Sequence, residues 1–206
     1  MAPWVRYAGR IMISYDSLGI GYTDLVGGFR PELSAALTAA GVQHSYAGPY
    51  SDAYGAHRSV SGTAAVLQTS ALQTDCETYD PRVVLLGYGV NDLGGNPDGQ
   101  QQTVAQFLTG LSNCIAWVQA GAPQAIVIVQ SVPIPGPAFP TYYARRALNE
   151  EANGLLPAFC NARNCRFVSI NDSDAYTSDG VHRTAAGYTL MATALSNAVL
   201  AALPGS

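Results

Sequence analysis

The feature that most restricts this chain is a regular alternation. Short apolar runs give way to longer amphipathic stretches about five times, with no composition break and no internal repeat. The runs "RIMIS" (10–14), "VQHSYAG" (42–48), "RVVLLGYG" (82–89), "QAIVIVQSV" (124–132) and "RFVSIN" (166–171) read as strands. The third and fourth are continuous and rich in Val and Ile, which suits strands covered on both faces. Between them, "RPELSAALTAAG" (30–41) reads as a helix stopped by Gly41, and "SGTAAVLQTSALQ" (61–73) as a helix with Ser61 at its N-cap. "QQTVAQFLTGLSNCIAWVQAG" (101–121) reads as a long helix, 141–162 as helical in its first part, and a last helix starts near Thr184. Strands alternating with helices build a parallel sheet covered on both faces and joined by right-handed crossovers. The expectation is one α/β domain over 1–206.

Composition narrows what such a domain does. Apolar residues make up 48% and charged residues 12%, a folding composition, and the net charge of −4 argues against nucleic acid or an anionic membrane as a partner. No uninterrupted apolar run is long enough to cross a bilayer; "YTLMATALSNAVLAAL" comes nearest and reads as a core-packed helix. Cys76, Cys114, Cys160 and Cys165 permit two disulfides, with three pairings open, and the pair in "CNARNC" is near enough in sequence to close a small loop. Their spacing lacks the paired Cys/His pattern of a structural zinc site, and no metal or cofactor is expected. Few charges and many Tyr, Gly, Ser and Thr point to an exported, extracellular protein. Because "MAPWVRYAGR" has no apolar signal core, a signal peptide is expected to have been removed already.

In an open parallel sheet, ligands bind beyond the carboxyl ends of the strands, so the residues that follow each strand carry the chemistry. Asp16 and Ser17 follow the first, Asn91 and Asp92 the third, and "DSDAYTSDGVHRTAAGY" the fifth, with Asp179 and His182 three residues apart. Gly62 lies after the second, in "HRSVSGT". This set fits acyl transfer. Serine is a poor nucleophile at neutral pH and needs a base, here His182, to take its proton. Asp179 across the turn "DGVH" can hold Nδ1–H and keep Nε2 facing the serine; loss of such a carboxylate costs about 10⁴ in rate in the serine-protease precedent. The backbone N–H groups of Ser17 and Gly62, with the Asn91 amide, can supply oxyanion donors, each worth roughly 3–4 kcal/mol.

The blocks "YDSLGIGY", "SVSG", "GYGVND" and "DGVH", in that order, resemble those of the GDSL, or SGNH, hydrolases. The resemblance runs from residue 10 to residue 188. It implies a three-layer α/β/α sandwich with a five-stranded, flavodoxin-like sheet. It also implies that Ser17 is the nucleophile, that Asp179 and His182 complete a triad, and that Ser17, Gly62 and Asn91 form the oxyanion hole. "GGFRPELSAALTAAG" followed by "YAGPYSDAYGAHRSVSG" is similar to the carbohydrate-esterase branch, whose members deacetylate xylan and related polysaccharides. The expected partner is then an acetylated carbohydrate or small ester as substrate; a monomer without membrane insertion is expected. A lipase, thioesterase or lysophospholipase on the same scaffold is the enzymatic alternative. A catalytically dead carbohydrate-binding descendant is the other, because Tyr15 stands where the family has glycine.

Other residues carry two readings each. Asp16 and Asp92 are expected to hold loop backbone. Asp172 and Asp174 compete with Asp179, but lack its three-residue spacing to His182. His44 falls in a strand and reads as structural. His57 either lies near the site or packs a loop. Tyr142 and Tyr143, after the proline-rich loop 133–140, either line a sugar cleft or pack a helix start. Gly62 also fits a plain helix start, and Arg30 a structural ion pair beneath the site. Tyr15 is expected to have ordinary backbone angles and a ring beside the site that leaves Ser17 Oγ uncovered.

Overall fold

The structure, a computed structural model, describes residues 6–21, 27–94, 101–138, 142–170, 177 and 179–203. Five parallel strands, β1 (Arg6–Tyr15), β2 (Val42–Ala47), β5 (Val83–Gly87), β6 (Ile126–Gln130) and β7 (Arg166–Val168), form one sheet in the order β2-β1-β5-β6-β7. This is the flavodoxin-like order that the family resemblance implies. The chain leaves β1 toward β2 and then turns back to the other side at β5, so the ends of β1 and β5 flank the topological switch point.

Period-two alternation splits the strand side chains between two cores. Met12, Val84, Leu86, Val127 and Val129 face α3 (Ala71–Tyr79), α5 (Val104–Gly121) and α6 (Tyr142–Asn161). Ile11, Ile13, Val83, Leu85 and Ile128 face α2 (Arg30–Ala39) and α7 (Ala185–Ala202). The three layers follow from strands that are apolar on both sides. Helix α7 is long and apolar enough to cross a membrane by those criteria alone. Its Tyr188, Met191, Leu195 and Val199 are buried in the second core.

Helix boundaries agree with the sequence where caps are strong. Gly41 follows α2 at φ 72°, Thr103 and Gln106 close a capping box on α5, and Thr184 accepts from Gly187 N–H at the start of α7. Two segments depart from expectation. The stretch 61–73 is a turn, a short 3₁₀ helix (Ala65–Leu67) and only then α3. Asp92 draws the N–H groups of Ala65 and Val66 to its carboxylate at 2.9 and 3.1 Å, and the N-cap positions fall at Ala64 and Ser70 rather than Ser61. Helix α6 runs through Pro157 to Asn161 without a break. Burial of Ala152, Leu156 and Cys160 on one face outweighs the roughly 3 kcal/mol that an internal proline costs. The sequence reading also missed a hairpin, β3 (Tyr50–Asp52) with β4 (Gly55–His57). All four cysteines are free thiols in this structure, so the "CNARNC" disulfide is not formed in it.

Candidate active site

Strand β1 ends at Tyr15, and the next residue turns the chain. Asp16 accepts from Leu18 N–H at 2.9 Å and so caps the single helical turn α1 (Ser17–Ile20), which lifts Ser17 to the rim. Beside it, Arg58 N–H donates to Ile13 O at 2.8 Å and Val60 N–H to Tyr15 O at 3.0 Å. This edge contact carries the chain to Gly62, whose φ of 74° lies in the left-handed region that favours glycine. Gly62 is therefore a turn residue rather than a helix start. Past β5, α4 (Val90–Gly94) presents Asn91. Its Nδ2 donates to Thr63 O at 2.9 Å and to Asp16 Oδ2 at 3.3 Å, tying three strand-end segments together.

The acid–base pair arrives from the opposite side. Asp179 Oδ1 accepts from the N–H groups of Val181 and His182 at 2.9 and 2.6 Å, which fixes the "DGVH" turn. Its Oδ2 lies 2.8 Å from His182 Nδ1, and His182 Nε2 lies 2.9 Å from Ser17 Oγ. Ser17, His182 and Asp179 thus stand in one hydrogen-bonded row across residues far apart in the chain. Partial burial pushes the Asp179 carboxyl up, but the His182 ring and the two N–H groups outweigh it and hold it below its ordinary value. A carboxylate kept ionised beside Nδ1 favours the tautomer whose Nε2 accepts from Ser17.

The nucleophile rests on buried polar structure. Asp16 is 1% exposed. Burial pushes its carboxyl up to about 7; the Leu18 N–H lowers it, Asp92 raises it and Arg183 lowers it. Arg30 is fully buried. Its guanidinium donates to Gly19 O, Gly27 O and Gly55 O at 3.0–3.2 Å and forks onto the Asp52 carboxylate. The structural role expected for Arg30 has a defined form: it joins the Ser17 turn to the β3–β4 hairpin. Asp16 and Asp92 both hold loop backbone, as expected.

Tyr15 has ordinary backbone angles, and its ring leaves Ser17 uncovered, but the ring does not lie in a cleft. It is 0% exposed, packs against Phe29 with the ring centroids 5.0 Å apart and tilted by 54°, donates to Gln130 Oε1 at 3.0 Å and lies over Gly87, where any Cβ would collide with it. That burial removes Tyr15 from contact with a substrate. His57 is also buried; its Nδ1 accepts from Ser59 N–H at 3.1 Å, so it packs the loop. His44 bonds Ser34 Oγ from within β2, as a structural residue. Tyr142 and Tyr143 open α6, but their side chains lie outside the described residues, as do Asp172 and Asp174.

Sequence reasoning missed two asparagines. Asn153 on α6 accepts from Val132 N–H at 2.6 Å and donates to Val132 O at 2.8 Å, and Asn149 donates to Pro133 O at 2.7 Å. Their four-residue spacing after a proline-rich loop was the available signal.

Fold and site together define a class: a serine hydrolase on a three-layer α/β scaffold. The family model described as GDSL-like Lipase/Acylhydrolase matches residues 16–190, and the chain belongs to that family as a carboxylic ester hydrolase. No curated protein matches it in sequence. Among solved structures it is similar to a carbohydrate esterase family 3 protein from Talaromyces cellulolyticus, with 17% identity, TM-score 0.77 and coverage of 94% of this chain and 97% of that one. It is likewise similar to a family 3 carbohydrate esterase from Clostridium thermocellum (23% identity, TM-score 0.72, 96% and 99% covered). A lipase/acylhydrolase from Enterococcus faecalis is a third (17% identity, TM-score 0.72, 96% and 98% covered).

Proposed function

We propose that this protein is an extracellular serine esterase that removes small acyl groups, acetyl above all, from a carbohydrate such as xylan. The observation that carries the reading is the row Ser17 Oγ–His182 Nε2 at 2.9 Å and His182 Nδ1–Asp179 Oδ2 at 2.8 Å. In it, Ser17 Oγ attacks the ester carbonyl as its proton passes to His182 Nε2. The N–H groups of Ser17 and Gly62 receive the charge on the carbonyl oxygen, joined by the Asn91 amide as it gives up its long 3.3 Å bond to Asp16 Oδ2. The C–O bond breaks, His182 returns the proton to the leaving alcohol, and an acyl-Ser17 remains. Water then attacks the acyl carbon, giving its proton to His182; the acyl–Oγ bond breaks, His182 returns the proton to Ser17 Oγ, and the acid leaves. The names of the two family 3 carbohydrate esterases support the carbohydrate side of the reading, and the name of the Enterococcus faecalis protein supports a lipase as runner-up. The buried Tyr15 ring, which leaves Ser17 Oγ accessible to His182, speaks against a dead binding protein.

Acetate release from a panel of acetylated polysaccharides, with p-nitrophenyl esters from acetyl to decanoyl, tests this. Turnover is expected on acetyl esters and at background for Ser17→Ala. A preference for long chains moves the reading to the lipase; turnover equal in wild type and Ser17→Ala ends it.

A further inference from the structure

The turn that carries Asp179 and His182 is short and partly exposed, yet it must keep Nε2 within hydrogen-bond reach of Ser17. What holds it from outside is the loop after β6. Ser131 N–H donates to Val168 O at 2.9 Å and its Oγ accepts from Ile170 N–H at 3.0 Å, which anchors the loop's root to the β7 side. Asn153 then grips both polar groups of the Val132 backbone, and Asn149 takes Pro133 O. Pro133 and Pro135 carry no N–H and have a fixed φ, so this segment is stiff and cannot tie itself down. At its far end Gly136 N–H donates to Gly180 O at 2.9 Å, in the middle of the Asp179–His182 turn. Glycine lets the two segments approach closely there: a Cβ at Gly136 would lie 1.9 Å from Thr177 Oγ1, and the side chain of Thr177 would have to move. Thr177 in turn bridges Arg183 and closes the turn from its other side.

We propose that Asn153 and Asn149 are positioning residues for the acid–base pair, acting through the stiff 132–136 segment and the Gly136–Gly180 bond. The proposal rests on the esterase reading, in which His182 is the base. Asn149 marks the difference between positioning and plain stability. Among the described residues its Oδ1 takes no hydrogen bond, so its bond to Pro133 O is what ties it to the loop. Leucine matches asparagine in branching but cannot donate, so it removes the Pro133 contact and leaves that carbonyl unpaired.

The test is steady-state kinetics and melting of Asn149→Leu and Asn153→Leu, alone and combined with Asp179→Asn. Displacing a catalytic group by about 1 Å costs on the order of 10²-fold, so kcat is expected to fall roughly 10- to 100-fold with KM held within about twofold. Asn149→Leu is expected to melt only a few degrees below wild type, from the Pro133 carbonyl it leaves unpaired. In the Asp179→Asn background, where His182 is already misoriented, the same substitutions are expected to cost less than about threefold. Unchanged kcat in both single variants overturns the proposal. So does a full, additive loss in the Asp179→Asn background. If Asn153→Leu does not fold, Asn149→Leu carries the decision by itself. Wild-type turnover no higher than that of Ser17→Ala is a different result, and it strikes the esterase reading.

Discussion

The two halves of the site are built differently. The nucleophile half, Asp16 to Gly19 with the 58–63 segment and Asn91, stands on Arg30 and Asp16, which are 0% and 1% exposed. The acid–base half is a turn whose Asp179 and His182 side chains are 38% and 15% exposed, closed on itself by two hydrogen bonds to Asp179 Oδ1. The first half draws precision from buried charge that is also structural. The second draws it from local turn geometry and the loop that leans on it. Chemistry and stability are therefore coupled on one side and separable on the other.

The largest expected effect tests the separable side. Asp179→Asn keeps an oxygen for the Val181 and His182 N–H groups but turns an NH₂ toward His182 Nδ1, which selects the wrong tautomer. The expected loss is about 10⁴ in kcat, with a melting temperature near that of wild type. A melting point that falls steeply would break the comparison, because the turn would then be structural too.

Arg30→Met tests the coupled side. It strands the Asp52 carboxylate and the carbonyls of Gly19, Gly27 and Gly55. Breaking a buried pair costs about 3–5 kcal/mol, and the 22% exposure of the Asp52 side chain puts this one at the lower end. Calorimetry is expected to show a melting point lower by roughly 10 °C, together with reduced kcat, because Gly19 belongs to the Ser17 turn. Lost stability with intact kcat would show that the anchor does not reach the nucleophile.

Asp16→Asn separates the same coupling by pH. The carboxyl rises from an unfolded value near 3.9 to about 7 in the native protein, so between these values the native state binds more protons. Its contribution to stability is full below about pH 4 and is lost as pH rises through about 7. The amide does not titrate, so the variant's melting point relative to wild type is expected to climb between about pH 4 and pH 7. A flat difference would mean that Asp16 is ionised throughout. Smallest is Tyr15→Phe, which removes the bond to Gln130 Oε1 and costs about 1–2 kcal/mol. Its kcat on p-nitrophenyl acetate is expected to match wild type; a large loss would place the Tyr15 hydroxyl in the chemistry.

Much of the fold was readable because its signals are local. Continuous apolar strands such as 83–87 and 126–130, the Gly41 stop and the helix start near Thr184 each declare themselves within a few residues. Misreadings fell where a distant group overrode local preference. Asp92 captures the N–H groups of Ala65 and Val66 and delays α3, and the core grip on Leu156 and Cys160 carries α6 through Pro157. His57 and Tyr15 show the same limit: a polar or aromatic residue near a motif reads as a site residue until its burial is known.

By itself the sequence determined the alternating α/β plan and the set of reactive residues at strand ends. Hydrophobic periodicity and the short Asp179-to-His182 spacing act over a few residues, and a parallel sheet gathers its strand ends on one rim. Only the tertiary structure decided where the Tyr15 ring goes, how Arg30 unites the Ser17 turn with a hairpin, and that α6 reaches the His182 turn through Asn149 and Asn153. Those outcomes depend on contacts between residues far apart in the chain. A hydrogen bond over such a separation leaves no periodicity to read.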